Sequence, residues 1–216
     1  MDNCSLHVMF DVDGTLVQSY EFDEQCYLQA VLEVLGEPLY SDWDSYTHVT
    51  DSGILDHHLK LIGLFDKSTE IHSQVKNTFI NKIKQRISAY PVKEIPGASS
   101  FINKLKTIGS ISISIATGGW LETAMLKLDA AGIDISDIPI ASSNDHFSRA
   151  EIMKISSAKS NIRPNHNITY FGDALWDKNA CEELGYNFIL VGSKTSHRQK
   201  IIDFTSVNKS MSFIGL

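Results

Sequence analysis

The stretch L-H-V-M-F-D-V-D-G-T-L at residues 6–16 joins an apolar run to two aspartates. Leu6–Phe10 has the length and composition of a buried β-strand, and Gly14 permits a sharp turn just beyond it. Asp11 and Asp13 then lie at the carboxyl end of that strand. Carboxylates this close repel each other unless a cation compensates, and Mg²⁺ commonly binds one or two protein carboxylates together with substrate phosphate oxygens. An ordinary turn can contain the same pattern, so other segments must distinguish the two interpretations.

Beyond residue 92 the pattern alternates between helical and extended segments. The predicted helices, recognised by apolar residues at helical spacing, are Ala98–Ile108, Trp120–Ala131, Ser148–Lys159 and Leu175–Leu184. The predicted strands, rich in β-branched and aromatic residues, are Ile111–Ala116, Ile138–Ala141, Ile168–Phe171 and Phe188–Val191. Ser148 is a candidate N-cap, and residues 194–216 are expected to contain a closing helix and a short terminal strand.

Strands that alternate with helices indicate a parallel sheet covered by helices on both faces. The predicted fold class is therefore α/β, with a Rossmann-like three-layer parallel sheet core. Between Glu21 and Ala89 the apolar residues keep helical spacing without a convincing strand, which predicts an inserted all-helical cap. We place the core at residues 1–18 and 92–216 and the cap at residues 19–91.

The charge and composition of the chain limit its partners. Its 216 residues include 19 basic and 26 acidic side chains, which give a net charge of −7. The sequence contains no basic run or stripe, which argues against nucleic acid. No apolar run approaches the roughly 20 residues of a membrane span. The short segment before Leu6 has no basic leader, so a cytoplasmic location is expected. The oligomeric state is not predicted.

The three cysteines, Cys4, Cys26 and Cys181, are widely spaced and form no C-x-x-C pair. An odd count at this spacing argues against a disulfide framework and against a zinc site. We therefore expect three reduced thiols.

Three of the predicted strands end in residues that suit phosphate or metal chemistry. In open parallel sheets, ligands bind beyond the carboxyl ends of the strands. That edge receives Asp11, the run Thr117-Gly118-Gly119 and the pair Gly172-Asp173, which lie far apart in sequence. A hydroxyl and free N–H groups ahead of a helix can hold an anionic oxygen. Taken alone, Thr117 is better explained by a simple strand-to-helix turn.

Asp173 and Asp177 stand four residues apart, on one side of a helical turn. Like charges at this spacing destabilise a helix unless a cation compensates, whereas acidic residues at a helix N-terminus are favourable by themselves. Phosphate binding also needs a cation. Arg149 is the best placed, because it opens the helix before the fourth strand, while Lys154 lies more than one turn further in. The alternative for Arg149 is a solvated surface arginine.

The ordered set of motifs resembles the haloacid dehalogenase superfamily of phosphohydrolases. The first motif of that superfamily, DxDGT followed by an apolar residue, matches residues 11–16. The second, a strand that ends in Thr or Ser, matches Thr117, and the third, a Lys or Arg, matches Arg149. The fourth, an acidic pair after a glycine, matches Gly172-Asp173 with Asp177. Each motif alone is weak to moderate evidence, but the ordered set spans essentially the whole chain.

The resemblance implies a phosphohydrolase that depends on Mg²⁺. Asp11 would be the nucleophile that forms an aspartyl phosphate, and Asp13 would be the general acid and base. The ion would be held by Asp11, by the backbone carbonyl of Asp13 and by Asp173. Within the superfamily an acid at position 13 favours phosphomonoester chemistry, because dehalogenases lack it and phosphonatases replace it with a small residue.

The resemblance also implies which groups bind the phosphoryl oxygens. These groups are Thr117, Gly118 and Arg149. Asp177 would orient either a metal-bound water or Arg149, which is a supporting task rather than direct contact with substrate.

The inserted helices resemble the type-one cap of phosphoglycolate phosphatase-like and phosphoglucomutase-like members. Thr50 and Asp51 resemble the substrate-selecting loop of such caps, although helix N-capping accounts for them equally well. A closed cap leaves room for a small phosphorylated metabolite. A phosphatase is the leading hypothesis, with phosphoglycolate as a candidate by analogy. A β-phosphoglucomutase-like phosphomutase is the second hypothesis, and a non-catalytic regulatory protein of the same fold is the third.

Overall fold

The computed structural model describes residues 6–161 and 167–216. Within these ranges the strands, numbered along the chain, are β1 Leu6–Phe10, β2 Ile111–Ala116, β3 Ile140–Ala141, β4 Asn167–Gly172, β5 Asn187–Val191 and β6 Lys200–Ile201. They form one sheet in the order β3-β2-β1-β4-β5-β6. Every neighbouring pair in this sheet is parallel.

Strand β1 lies at the centre of the sheet and fixes the position of the acidic residues. Its residues 6–10 pair with residues 111–115 of β2 on one side and with residues 167–171 of β4 on the other. Because the pairs are parallel, the three strands end at one edge, which we call the carboxyl edge. Asp11, Thr117 and Asp173, which lie at or just beyond the strand ends, therefore meet at the edge where such sheets bind ligands.

Helices cover both faces of the sheet. The described helices are α1 Tyr20–Leu35, α2 Asp51–Leu61, α3 Ser68–Ala89, α4 Ala98–Lys106, α5 Leu121–Ala130, α6 Arg149–Lys159, α7 Leu175–Leu184 and α8 Val207–Phe213. Side chains of a strand alternate between faces: Val8 and Phe10 join an apolar cluster with α4 and α5, and Met9 joins a second cluster with α6 and α7. This three-layer arrangement confirms the predicted α/β fold class.

Helices α1, α2 and α3 lie between β1 and β2 in the sequence, and α3 packs against α1 and α5. Trp120, which precedes α5, attaches these helices to the core. Its ring lies 6.0 Å from that of Tyr27 on α1 and 6.1 Å from that of Phe79 on α3. All three side chains are buried and belong to the cluster that continues beneath the sheet. The cap helices and the core therefore share continuous apolar packing.

The structure differs from the sequence predictions at some element limits. Strand β3 is two residues shorter than predicted, because Ile138 closes a turn onto Ile135 and Pro139 has no N–H to donate. In the closing segment the short strand β6 precedes the helix and pairs with β5. Ser148 occupies the N-cap position of α6, but its side chain makes no capping hydrogen bond.

The limits of the core and the cap stay predictions, and residues 1–5 and 162–166 lie outside the described residues. Cys26 and Cys181 are buried free thiols, while Cys4 falls in the first of those two gaps. None of the helices in the described ranges is long and apolar enough to cross a membrane.

The aromatic cluster beneath the sheet is expected to dominate stability. The buried ring of Phe101 lies 5.2 Å from that of Phe204, 5.7 Å from that of Phe171 and 6.0 Å from that of Phe10. Phe101→Ala should lower the free energy of unfolding by about 3–5 kcal/mol, because it leaves a cavity. Urea unfolding measures this loss. The control Phe65→Ala, at a side chain that is 41% exposed, should cost less than about 1 kcal/mol, and equal losses would contradict the prediction.

Candidate active site

A cavity lies between the carboxyl edge of the sheet and the first two cap helices. It contains about 620 Å³ of empty space, part of it open to solvent. On the side of the sheet its lining includes Asp11, Asp13, Thr117, Gly118 and Asp173. On the side of the cap its lining includes Tyr20, Asp23, Glu24, Trp43, Thr50 and Asp51. The cavity therefore brings together most of the residues that the sequence motifs predicted.

Asp11, Asp173 and Asp177 form a buried group that we call the carboxylate cluster. One oxygen of each residue lies within 4.8 Å of those of the other two. Asp11 and Asp173 follow the ends of β1 and β4, and Asp177 projects from the first turn of α7. Gly14 makes this approach possible, since it has a φ of +80° and a Cβ at this position would overlap the Asp173 carboxylate.

The pKa values of the carboxylate cluster are raised, because the neighbouring cations offset its burial and its mutual repulsion only in part. Burial raises the pKa of Asp11 to about 7, helped by the charge of Asp177 and opposed by Arg149. Burial and the charge of Asp11 raise the pKa of Asp173 to about 6. Burial, opposed by Arg149 and helped by Asp173, raises the pKa of Asp177 to about 6. The three carboxyl groups can therefore ionise together only if a cation is added. Mg²⁺ prefers oxygen ligands of this kind.

Arg149 brings a cation to the same point of the sheet. Its Nη1 lies 2.8 Å from Asp177 Oδ1 and 3.4 Å from Asp11 Oδ1. Burial opposes its charge, but Asp177 raises the pKa of Arg149, so the guanidinium stays protonated. A Cβ on Gly118 would overlap this guanidinium. Lys154, in contrast, is exposed and pairs with a neighbouring glutamate at the surface. The structure therefore places Arg149, and not Lys154, beside the cluster.

Thr117 directly follows β2 and is 1% exposed. Its hydroxyl oxygen accepts a hydrogen bond from the N–H of Gly119 over 3.2 Å. The carbonyl of Gly118 accepts a hydrogen bond from the N–H of Asp51 over 2.8 Å. Among the described residues none accepts a hydrogen bond from the Thr117 hydroxyl, which leaves its proton for an anionic oxygen.

The Asp13 side chain turns away from the carboxylate cluster. Its Oδ1 lies 2.6 Å and its Oδ2 2.7 Å from Lys127 Nζ, and its Oδ1 also accepts a hydrogen bond from the Ser19 hydroxyl. Both oxygens of the Asp13 carboxylate therefore contact protein groups. Burial opposes the charge of Lys127, but Asp13 and Asp23 raise its pKa, so its ammonium stays protonated.

Thr50 and Asp51 begin α2 and line the cavity. The Thr50 hydroxyl donates to the carbonyl of Phe147 over 2.6 Å and accepts from the N–H of Gly53 over 3.1 Å. The Asp51 carboxylate accepts the N–H of Trp120 over 2.7 Å. Thr50 therefore caps the helix, as one interpretation predicted, and the substrate-selecting role of the two residues stays a prediction.

Several polar residues of the site were not predicted, among them Ser19, Asp23, Glu24, Lys127 and Lys194. Lys194 Nζ lies 2.6 Å from Asp173 Oδ2, but its segment carries no motif. Asp23 stands in the first turn of α1, where an acid is favourable in any helix. One signal could have identified Lys127: it shares a helix face with Ala124 and Leu128, and both of these are buried.

The fold and the site define an α/β enzyme whose candidate active site, at the carboxyl edge of a parallel sheet, combines a carboxylate cluster with an arginine. The sequence matches the family described as haloacid dehalogenase-like hydrolase over residues 8–191. The chain belongs to this family, which confirms the predicted resemblance. Among curated proteins, none matches the chain.

Solved structures share the fold over nearly the whole chain. A hydrolase from Pseudomonas syringae has a TM-score of 0.75 and 19% identity, over 96% of this chain and 98% of its own. A β-phosphoglucomutase from Clostridium difficile has a TM-score of 0.73 and 15% identity, over 96% of each chain. A protein described as a predicted phosphoglycolate phosphatase from Haemophilus somnus has a TM-score of 0.65 and 18% identity, over 98% and 99%. At these identities the likeness shows the fold alone.

The carboxylate cluster should destabilise the metal-free protein as the pH rises. Its three pKa values lie above the unfolded value of about 4. The folded protein therefore holds protons that the unfolded chain has released, and stability is lost as the pH rises through 6–7. In EDTA, the free energy of unfolding of Asp11→Asn minus that of wild type should increase by roughly 2 kcal/mol from about pH 5.5 to pH 8. Urea unfolding of both proteins measures this difference and cancels the contribution of the histidines.

The same two proteins test the fit of Mg²⁺. Because the ion and the protons compete for the same oxygens, Mg²⁺ should raise the melting temperature of wild type more at about pH 8 than at pH 5.5. The effect should be much smaller in Asp11→Asn. A stability difference that does not change with pH, together with equal Mg²⁺ shifts in both proteins, would contradict this description of the cluster.

Proposed function

We propose that the protein is a Mg²⁺-dependent phosphatase that hydrolyses a small phosphomonoester, with Asp11 as nucleophile and an aspartyl phosphate as intermediate. The observation that supports this most strongly is the contact of Arg149 with the buried carboxylate cluster. A phosphomonoester dianion repels a carboxylate nucleophile, so its attack requires positive charge on both sides of the phosphoryl group. The cluster can hold a metal ion, and Arg149 provides the second cation.

Each chemical step can be assigned to a side chain. An Asp11 oxygen bonds to phosphorus as the bond from phosphorus to the leaving oxygen breaks. Asp13 gives that oxygen a proton, then takes one from the water that attacks the aspartyl phosphate, which releases inorganic phosphate and restores both carboxyl groups. Such acid–base help contributes about 10²–10⁴-fold. When bound by Asp11, Asp173 and the Asp13 carbonyl, Mg²⁺ supplies charge that stabilises the transferring group.

The phosphoryl oxygens are bound by Thr117, Gly118 and Arg149 in this proposal. The Thr117 hydroxyl and the backbone of Gly118 come from the turn after β2, and the guanidinium of Arg149 comes from the start of α6. Asp177 orients this guanidinium through the 2.8 Å ion pair. Removing one preorganised donor of this kind typically costs about 3–4 kcal/mol of transition-state stabilisation.

The cap side of the cavity supports a substrate without a second anionic group. Asp23, Glu24 and Asp51 line it, and Arg149 is the only cationic side chain among the lining residues that the structure describes. Glu24 is fixed by the Trp43 indole N–H over 3.1 Å. Burial raises the pKa of Asp23 to about 7 and also raises that of Asp51, so the repulsion of a second phosphate or a carboxylate there depends mainly on Glu24. We therefore favour hydrolysis over a mutase reaction, which needs a bisphosphate, and a neutral or cationic organic group over phosphoglycolate.

Thr50 and Asp51 remain our candidates for substrate selection, because they line the cap side of the cavity and Asp51 contacts Gly118. Asp51→Asn should change the ranking of substrates more than the rate on a small generic ester. We also propose that the protein acts in the cytoplasm on a free metabolite, without a nucleic-acid or membrane partner.

The nucleophile is tested by a single oxygen-to-nitrogen exchange. Asp11→Asn should lower Mg²⁺-dependent release of phosphate from p-nitrophenyl phosphate by at least about 10³-fold, because the amide cannot form the covalent intermediate. The matched control is Asp134→Asn at the exposed loop after α5, which should keep full activity. Undiminished turnover in Asp11→Asn would overturn the proposed mechanism, and a wild type without phosphatase activity would favour the non-catalytic hypothesis.

Substrate preference is tested with four phosphate esters. Glycerol 2-phosphate and phosphoethanolamine, whose organic groups are neutral and cationic, should show at least about tenfold higher kcat/KM than phosphoglycolate and fructose 1,6-bisphosphate, a difference of about 1.4 kcal/mol. Glu24→Gln should reduce this difference in kcat/KM between the two groups of esters. A preference for phosphoglycolate would contradict the inference about charge. Conversion of hexose phosphates that requires a bisphosphate, with little free phosphate, would indicate the mutase.

A further inference from the structure

Lys127 is a buried lysine that the mechanism above does not use. It projects from the core helix α5, and its side chain is 0% exposed. Lysine is almost never fully buried unless it is paired. Its Nζ contacts both oxygens of Asp13, at 2.6 and 2.7 Å, and Oδ1 of Asp23 at 2.5 Å. The ammonium thus lies between the proposed proton donor and an acid of the cap.

The groups that fix Asp13 come from different parts of the fold: Ser19 and Lys127 contact its carboxylate directly, and Asp23 contacts Lys127. Ser19 precedes α1 and donates a hydrogen bond to the Asp13 carboxylate, Lys127 belongs to the core, and Asp23 belongs to the cap helix α1. A carboxylate bonded only through one oxygen can rotate about its side-chain torsions. Contacts to both oxygens of Asp13, from an ammonium that Asp23 holds in place, restrict that rotation. The orientation of Asp13 is therefore complete only when Asp23 of α1 contacts Lys127 of α5.

We propose that Lys127 and Asp23 are positioning residues that aim the Asp13 carboxyl at the leaving oxygen of the substrate. The inference rests on the proposed function, in which Asp13 transfers that proton. A proton donor must lie within hydrogen-bond distance of the atom it serves, and a misplacement of about 1 Å can cost about 10²-fold in rate. Because Asp23 lies on the cap, docking of the cap and placement of the proton donor are one event.

The alternative is that Lys127 only binds the cap to the core. The two roles predict different effects on different substrates. Nitrophenolate is a weak base and leaves phosphorus without a proton, whereas the alkoxide of glycerol 2-phosphate requires one. Loss of cap binding slows both reactions alike, but a misplaced Asp13 slows mainly the second. The ratio kcat/KM isolates this step, because it reports only events up to the first irreversible cleavage.

The experiment compares Lys127→Met and Asp23→Asn with wild type on both esters in the presence of Mg²⁺. In Lys127→Met we expect kcat/KM for glycerol 2-phosphate to fall about 10²-fold or more, and kcat/KM for p-nitrophenyl phosphate to change by less than about fivefold. Asp23→Asn keeps the Lys127 contact with Asp13. It should lower kcat/KM for glycerol 2-phosphate relative to kcat/KM for p-nitrophenyl phosphate by a smaller factor. It also serves as the test if Lys127→Met does not fold.

The matched control is Lys76→Met. Lys76 of the cap helix α3 pairs with Glu122 of α5 over 2.7 Å, so it also joins the cap to the core, but it does not contact Asp13. This variant should leave the ratio of the two kcat/KM values unchanged. If kcat/KM falls by equal factors for both esters in Lys127→Met and Asp23→Asn, the positioning role is overturned, while the proposed phosphatase function stands. Failure of wild type to hydrolyse either ester would instead overturn the proposed function.

Discussion

Repulsion among three buried carboxylates is the constraint on which the active site depends. Asp11, Asp173 and Asp177 come within 4.8 Å of one another, and the chain offsets their charge only in part, with Arg149 and Lys194. Removing one partner of a buried ion pair typically costs about 3–5 kcal/mol, because the other charge stays uncompensated. The parallel register of β1 and β4 fixes the acids, so the sheet maintains a local negative potential. That potential is what a divalent cation would relieve.

Much of the fold follows from local sequence rules, which explains why the sequence predicted it. The β-branched runs and the helical spacing identified most strands and helices, and the geometry of parallel sheets brought Asp11, Thr117 and Asp173 to one edge. The predictions from sequence failed where a single residue or a tertiary contact outweighed the local pattern. Pro139 shortened β3, and nothing in residues 194–216 indicated that Lys194 would reach Asp173.

The interior charges of the cap were hardest to predict, because their partners lie about a hundred residues away. Asp23 is typical of a helix N-terminus, and its contact with Lys127 appears only once the cap helices pack against the core. The same packing buries Trp120 against Tyr27 and Phe79. Apolar contacts therefore bring the cap to the core, and polar contacts then determine where the acidic side chains point. In our proposals, substrate selection and placement of the proton donor depend on the same helices.

The most direct test of the central claim is to trap the covalent intermediate. Wild-type protein is mixed with Mg²⁺ and p-nitrophenyl phosphate, quenched in acid during turnover, digested, and analysed by mass spectrometry. If Asp11 attacks phosphorus, one phosphoryl group is found on the peptide that contains residues 6–16, and it is located on Asp11. A phosphoryl group on another residue, or active turnover with no modified peptide at a quench time shorter than one cycle, would contradict the claim.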